Sequence, residues 1–149
     1  MSSVHFVDTV TDITNMDISE VSIYGIENIP ENCIGSTPLL APRPDDFITD
    51  LTFTRESMGA GEMMNIEYVL HWQYLHAPMG SNNDLFETYN GMIENLAKII
   101  EGISEITSLT GGVDLVIDGI EKIAVIKDIT GNEFHGVELS IRVTEFINL

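Results

Sequence analysis

The sequence predicts an α+β protein, with a mostly antiparallel sheet, a long amphipathic helix (about residues 83–106) packed on one face, and a second helix near the N-terminus. Apolar and polar side chains alternate along residues 65–75, as they do when successive strand residues point to opposite faces. Along residues 85–103 apolar positions recur every three or four residues, which is typical of one helix face. We expect the two apolar surfaces to bury each other. The strand surface is Ile66, Tyr68, Leu70, Trp72 and Tyr74, and the helix surface is Leu85, Tyr89, Met92, Ile93, Leu96, Ile99, Ile100 and Ile103.

The composition indicates one domain over residues 1–149. Apolar residues make up 44% of the chain, enough for a single core, which excludes a disordered acidic tail. Asp and Glu number 24 against 6 Lys and Arg, a formal net charge of −18. Such a surface repels phosphates, so binding of nucleic acid through a basic patch, or of an anionic membrane, is disfavoured.

The cysteine count and the N-terminus predict the compartment. Cys33 is the only cysteine, which excludes an internal disulfide and a secreted disulfide scaffold. The N-terminal residues lack the basic region and apolar core of a signal peptide, and no apolar run approaches the ~20 residues that a membrane span needs. We therefore expect a soluble protein made in a reducing cytoplasm.

The other elements follow from shorter patterns. Residues 4–13 carry an apolar residue at every third position, a helix signal weakened by β-branched side chains. Residues 31–48 contain Pro38, Pro42 and Pro44, which favour an extended arm or edge segment that lies across the surface or reaches a neighbouring subunit. Residues 50–56 alternate like a strand and form a wide hairpin with the long strand through a glycine-containing turn. Further strands are predicted at 21–24, 113–118, 123–128 and 134–146.

The sequence contains no recognisable catalytic, cofactor or metal motif. His71 and His76 lie five apart on a strand, so they point to opposite faces and cannot chelate one ion together. Gly59-Ala60-Gly61 lacks the third glycine of a dinucleotide loop and leads into a strand. We expect no enzyme activity, no cofactor and no metal.

Two surfaces are candidates for contacts with other molecules. The second face of the long strand mixes polar and apolar residues, which indicates either a solvent-exposed face or a subunit interface, and we favour an interface. The hairpin tip is either an ordinary mobile turn or a contact with a neighbouring molecule. The predicted interface comprises Ser57, Met58, Gly59, Gly61, Met63, Val69, His71 and Leu75, and the predicted acidic helix surface comprises Glu87, Glu94, Glu101 and Glu105.

Four stretches of the chain together resemble a known family. They are IENIPENC, the proline-rich PLLAPRPDDF, the hairpin LTFTRESMGAGEMMNIEYVLHWQYLHAP and the closing GNEFHGVELSIRVTEF, with an acidic-faced helix between the last two. This order of elements, from about Val21 onward, is similar to the tail-terminator family of long-tailed bacteriophages, one of the neck and tail completion proteins. The N-terminal segment departs from that family through its weaker helix signal.

The resemblance implies a structural virion protein. Members of that family form a six-membered ring on the head-proximal end of the tail tube, end its polymerisation and face the head's connector. The implied partners are copies of the same chain, the tail tube protein, the head–tail connector protein and DNA that passes through the lumen without specific binding, with no membrane. The implied location is the virion, and the host cytoplasm before assembly. The alternative is a small-ligand-binding or enzymatic α+β domain with an unrecognised pocket.

Overall fold

The computed structural model describes residues 4–58, 61–80, 84–106, 113–120 and 123–148, and it confirms the predicted α+β fold. Two helices and seven strands are present in these ranges, together with one short 3-10 turn at Ile26–Asn28. The helices are α1 (Phe6–Thr14) and α2 (Leu85–Ile106). The strands are β1 (Ser22–Ile23), β2 (Leu39–Pro42), β3 (Ile48–Met58), β4 (Gly61–Pro78), β5 (Val113–Ile120), β6 (Ala124–Lys127) and β7 (Glu133–Asn148).

The sheet is organised around the long antiparallel pair β4 and β7. Strand β4 pairs on its other side with two strands in succession, β3 along residues 61–70 and β2 along residues 72–75. Strand β7 likewise pairs with β6 near its start and with β5 further along. The short β1 adds to β2 in parallel, and all other pairings are antiparallel. One half of the sheet therefore has the order β3-β4-β7-β5.

Both helices pack on the same face of this sheet and bury the predicted face of β4. Tyr68, Trp72 and Tyr74 are at most 3% exposed in a cluster with residues of α1, α2 and β7. Trp72 lies edge-on against Phe47, with ring centroids 5.5 Å apart. At about 1.5–3 kcal/mol for each large apolar side chain, this cluster supplies most of the hydrophobic stabilisation of the chain.

Helix α2 begins at an aspartate cap, and only part of its predicted apolar stripe is buried. The Asp84 carboxylate accepts a hydrogen bond of 2.9 Å from the backbone N–H of Phe86. Met92, Ile99 and Ile103 are buried, but Leu85 and Ile93 are more than half exposed. The prediction that Leu85, Tyr89 and Ile93 belong to the core was wrong, because they are 53%, 39% and 59% exposed and the apolar stripe is wider than the buried face of α2.

The helix-free face of the sheet has a smaller core of its own, formed partly by the segment predicted as an arm. Within residues 31–48, β2 joins the chain's own sheet, and Leu39, Leu40 and Ala41 are at most 1% exposed. The backbone N–H of Cys33 donates a 2.9 Å hydrogen bond to the Asp128 carboxylate at the β6–β7 turn. The structure thus places the arm against its own subunit. The small core is Cys33, Leu39, Ala41, Leu75, Ile126 and Phe134.

Candidate functional site

The charged groups in the middle of the helix-free face are paired with one another. Arg142 on β7 contacts Glu67 on β4 and Asp118 on β5, both at 3.1 Å. The His71 ring lies between two hydroxyls, 2.6 Å from Thr49 Oγ1 and 3.3 Å from Ser140 Oγ. These contacts link neighbouring strands across the sheet. The arrangement is a set of satisfied cross-strand pairs, and its polar groups do not converge on a common point where a substrate could react.

An open cleft of about 550 Å³ lies beside this face, and its arginine is also ion-paired. Arg43 reaches Glu138 at 2.9 Å and Asp46 at 3.1 Å, so its charge is already matched. Gln73 forms part of the wall and is 7% exposed. Among the described residues, the walls of the cleft carry no Ser, Thr, Cys or Tyr side chain.

A buried polar chain connects the end of β4 with α2. The Tyr74 hydroxyl accepts a 2.8 Å hydrogen bond from the Asn95 amide and lies within hydrogen-bond distance, 2.6 Å, of His76 Nδ1. Burial lowers the pKa of His76, and the neighbouring His135 lowers it further. Burial raises the pKa of Tyr74 to about 12, although the hydrogen bond from Asn95 acts in the opposite direction. This chain satisfies buried groups and fixes the helix on the sheet.

The sequence analysis did not predict a second buried polar group, the carboxylate of Glu145. Glu145 is fully buried on the helix side of β7, where the alternation of apolar residues continues to Ile147. Its carboxylate accepts hydrogen bonds from the Tyr68 hydroxyl at 2.6 Å and from the backbone N–H of His5. Burial raises the pKa of Tyr68, and the hydrogen bond and charge of Glu145 raise it further. The carboxylate therefore anchors the start of α1 to the central strands.

These two tyrosines predict a loss of stability at high pH. The unfolded phenols release their protons near pH 10, whereas the folded ones retain them, so above pH 10 the folded state binds more protons and the free energy of unfolding falls as pH rises. The contribution of Tyr74 is fully present below pH 10 and is lost by a pH of about 12. In urea unfolding at pH 8, 10 and 11, we expect almost no change well below pH 10 and, above pH 10, a slope that approaches about 1.4 kcal/mol per pH unit for each phenol. A double variant Tyr68→Phe, Tyr74→Phe should give a flatter profile; an equally steep one would contradict this.

No group of three or more His, Cys, Asp or Glu side chains that could hold a metal ion is found among the residues that the structure describes. Within the same ranges, neither helix is long and apolar enough to cross a membrane.

The residues of the predicted interface differ in exposure. Val69 and Leu75 are at most 2% exposed within the subunit, so neither offers a free surface and their assignment to an exposed interface was wrong. Leu75 is buried in the small core, and Val69 lies between its paired neighbours Thr49 on β3 and Arg142 on β7. His71 is partly exposed and held by its two hydroxyl partners, and Met63 is partly exposed.

The hairpin tip can be placed only by its backbone. Gly61 opens β4 and pairs with Met58, and Ser57 pairs with Glu62, so the predicted hairpin is present. Gly59 lies outside the described residues, as do the side chains of Ser57 and Met58. The contact of this tip with a neighbouring ring stays a prediction.

The predicted acidic surface is exposed in the subunit. Glu87, Glu94, Glu101 and Glu105 all lie on the side of α2 that points away from the sheet. The buried positions Met92, Leu96 and Ile99 occupy the opposite side. Asn90 donates a 3.2 Å hydrogen bond to Glu94, one turn further along the helix. The row of carboxylates is therefore available to face a neighbouring molecule or a lumen.

A first apolar surface lies at the edge of the sheet beside α1, and the sequence analysis did not predict it. It is a groove of about 250 Å³ with purely apolar walls, which we call the β3 groove. Leu51 and Phe53 are 55% and 61% exposed, and Phe53 pairs with Ile66, which places it on the helix side. A strand's apolar face looks the same in sequence whether it is covered or open. The walls of the groove are Val4, Phe6, Ile48, Leu51 and Phe53, and its floor is Ile66 and Tyr68.

A second apolar surface runs along one side of α2, and we call Phe86, Tyr89 and Ile93 the α2 flank. Phe86 is 88% exposed and Ile93 is 59% exposed. Gly102 marks the side of α2 nearest the chain that follows α1, because a Cβ there would lie 3.0 Å from Met16 Sδ. Ile93 precedes Gly102 by nine residues, or about two and a half turns, so it points to the opposite side. Adjacent apolar pairs such as Leu85-Phe86 and Met92-Ile93 signal this second side in the sequence.

Comparison with known proteins gives no assignment. The sequence matches no protein-family model and no curated protein.

Proposed function

We propose that the protein is a structural subunit of a phage tail that forms a six-membered ring at the head-proximal end of the tail tube. The ring ends tube polymerisation and joins the tail to the head connector. The observation that carries this proposal is the pair of exposed apolar surfaces, the β3 groove and the α2 flank, on different sides of one chain. A head-to-tail ring needs two different surfaces on each subunit. The resemblance in the order of elements supplies the tail-terminator role.

The distribution of charge supports the same proposal. Six copies carry a formal charge of −108, six times −18. Glu94 and Glu101 are exposed on the outer side of α2, so an orientation with the helices inward lines the lumen with carboxylates. Like charges keep DNA from adhering while it passes, over a distance of about the 8 Å Debye length at physiological salt.

The test of the proposal is the length of tail tubes assembled from the tube protein of the same genome. The tube protein is polymerised with and without this protein, and tube lengths and ends are measured in negative-stain images. We expect shorter tubes with a ring on one end in its presence, and overlong tubes with bare ends in its absence. Identical length distributions and bare ends in both samples would refute the role.

Charge reversal on α2 is expected to slow the passage of DNA. The double variant Glu94→Lys, Glu101→Lys replaces two negative charges with two positive ones in every copy, so the proposed lumen wall would attract phosphates and ejection of DNA from assembled particles should slow or stall. The measurement is the rate of DNA release from particles carrying the variant. The matched control is Glu27→Lys, Glu31→Lys, which makes the same change of charge on an exposed loop distant from α2. Equal release rates for the two variants would show that the carboxylates of α2 do not line the lumen.

A further inference from the structure

We propose that the open cleft of about 550 Å³ beside the helix-free face binds an uncharged peptide segment. The Gln73 carboxamide pairs with the N–H and C=O of one peptide residue, and the aliphatic side chain of that residue packs against Val125 and Ile129. The cleft lies on the side of the sheet away from both helices, so this inference does not depend on the proposed ring or its lumen.

The side chain of Gln73 is a buried amide without a partner inside the described part of the protein. Gln73 is 7% exposed and lines the cleft, and its carboxamide forms no hydrogen bond with any residue that the structure describes. Buried side-chain amides are normally hydrogen-bonded, because an amide removed from water without a new partner costs free energy. Its neighbours Trp72 and Tyr74 point into the main core, so Gln73 points to the opposite side, into the cleft.

The fold holds this amide at a fixed position. Strand β4 is paired on both sides here, Gln73 with Ala41 of β2 and with Glu138 of β7. The cleft is bounded on one side by residues 43–45, which follow β2, and on the other by residues 125–129 of β6 and the turn after it. Its volume lies within the range of about 300–1,000 Å³ that is usual for ligand pockets. A preformed site of this kind loses little conformational entropy on binding.

The charged groups of the cleft give it little attraction for an ion of either sign. Arg43 donates a 2.9 Å hydrogen bond to Glu138, and the Asp128 carboxylate accepts hydrogen bonds from two backbone N–H groups. Asp45 and Lys127 are exposed and opposite in sign, so together they add no net charge. The net charge of −18 on the whole chain repels an anion in addition. An uncharged ligand is therefore favoured.

An extended peptide matches the hydrogen-bonding groups of Gln73. A carboxamide presents a carbonyl acceptor beside an N–H donor. The N–H and C=O of one residue in an extended chain point the same way, as they do where antiparallel strands exchange two hydrogen bonds, so they match both groups at once. A carboxylate would leave the Gln73 oxygen without a donor, and an ammonium group would leave its N–H groups without an acceptor.

The apolar part of the cleft defines the side chain of the bound residue. Val125 and Ile129 are 48% and 52% exposed, and both line the cleft together with Pro44. An aliphatic side chain in the ligand covers this surface and removes apolar area from water. The occupant is thus an uncharged peptide segment that contains an aliphatic residue.

An NMR titration with a minimal peptide tests the site. The probe is N-acetylleucine methylamide, which carries one leucine between two peptide groups. Gln73 is the only glutamine of the chain, so its side-chain amide signals are identified by their loss in the Gln73→Met variant. We expect saturable shifts of these signals and of the backbone amides of Val125 and Ile129. The absence of saturable shifts up to the solubility limit of the probe would overturn the site and indicate an amide that is solvated by water alone.

Two analogues of the probe test the ligand class. N-acetylleucine replaces the second peptide group with a carboxylate, and leucine methylamide replaces the first with an ammonium group. We expect both to bind at least about tenfold more weakly, since each leaves part of the Gln73 amide unpaired. Equal or tighter binding of either analogue would overturn the assignment to an uncharged peptide.

Substitutions separate binding from folding. Gln73→Met keeps the approximate size of the side chain and removes its hydrogen-bonding groups. It should abolish binding and leave the urea midpoint unchanged or higher, because it breaks no hydrogen bond within the described chain. Ile129→Ser should weaken binding, and Ile48→Ser, at a 44% exposed position on the helix side, is the matched control that should bind like the wild type. Undiminished binding of the probe by Gln73→Met would overturn the proposal.

Discussion

Replacing Trp72 with alanine is expected to lower the free energy of unfolding by about 3–5 kcal/mol, the range found for removing a buried aromatic side chain. Trp72 is fully buried at the middle of β4, under the helices and edge-on to Phe47 at 5.5 Å. Its neighbours belong to strands that are fixed on both sides, so the site cannot collapse around a small residue. Urea unfolding followed by far-UV circular dichroism measures the loss.

Trp72→Phe is the matched control for this prediction. The indole N–H of Trp72 has no hydrogen-bond acceptor within the part of the chain that the structure describes, so phenylalanine breaks no hydrogen bond. We expect this variant to lose clearly less stability than Trp72→Ala, because most of the aromatic contact remains. Equal losses for the two variants would show that the ring contact with Phe47 is not what Trp72 contributes.

Gly136→Ala is expected to destabilise the protein by about 1–3 kcal/mol or more, the cost of overpacking a core. A Cβ at Gly136 would lie 2.5 Å from the backbone oxygen of Tyr74 on the neighbouring strand and 3.0 Å from Ile126 Cδ1. The backbone oxygen cannot move aside as the end of a side chain can, so the strands β4 and β7 must separate locally. The pairing shifts by one residue at this point, between Leu75 and Ala77.

Gly119→Ala in β5 controls for the general effect of replacing a strand glycine. Apart from its chain neighbours, no atom of the described residues lies within 4 Å of a Cβ at Gly119, and its backbone does not have the positive φ that favours glycine. Alanine there should leave the unfolding free energy within about 0.5 kcal/mol or raise it slightly. If both variants behave alike in urea unfolding, the close approach at Gly136 does not limit the sheet.

The fold class was predictable because two long segments carry strong and different periodicities. Strand β4 alternates over most of its length, and residues 92–106 of α2 repeat every three or four residues, so neither segment could be mistaken for the other. The position of β2 was not predictable. Pro42 and its proline neighbours weaken the strand signal, and only the tertiary contacts of Leu39 and Leu40 place the segment in the sheet.

The burial of the Glu145 carboxylate could not be predicted from the alternation of apolar and polar residues. Glu145 points to the same face of β7 as the buried Val143 and Ile147. The sequence alone does not indicate that a carboxylate at this position is buried. It is accommodated because Tyr68, on the neighbouring strand β4, supplies a hydroxyl at 2.6 Å. Such a pair forms between residues 77 positions apart and leaves no local signal.

The candidate surfaces were predictable only in part. The carboxylates of α2 follow from helical periodicity and are exposed, as the sequence indicated. The apolar surfaces were misassigned because exposure depends on which neighbours exist. Ile93 was predicted to be core, although no element in the described part of the chain covers its side of α2. Val69 was predicted to be surface, although it is buried between β3 and β7. A sequence pattern identifies a face but not the presence of a neighbour to cover it.

Cryo-electron microscopy of tail tubes assembled with the protein tests the central claim most directly, through averaged images of the tube ends. We predict a single ring of six copies on one end of each tube, with the carboxylates of α2 facing the lumen. Bare tube ends, or copies bound along the tube wall without six-fold order, would contradict the account.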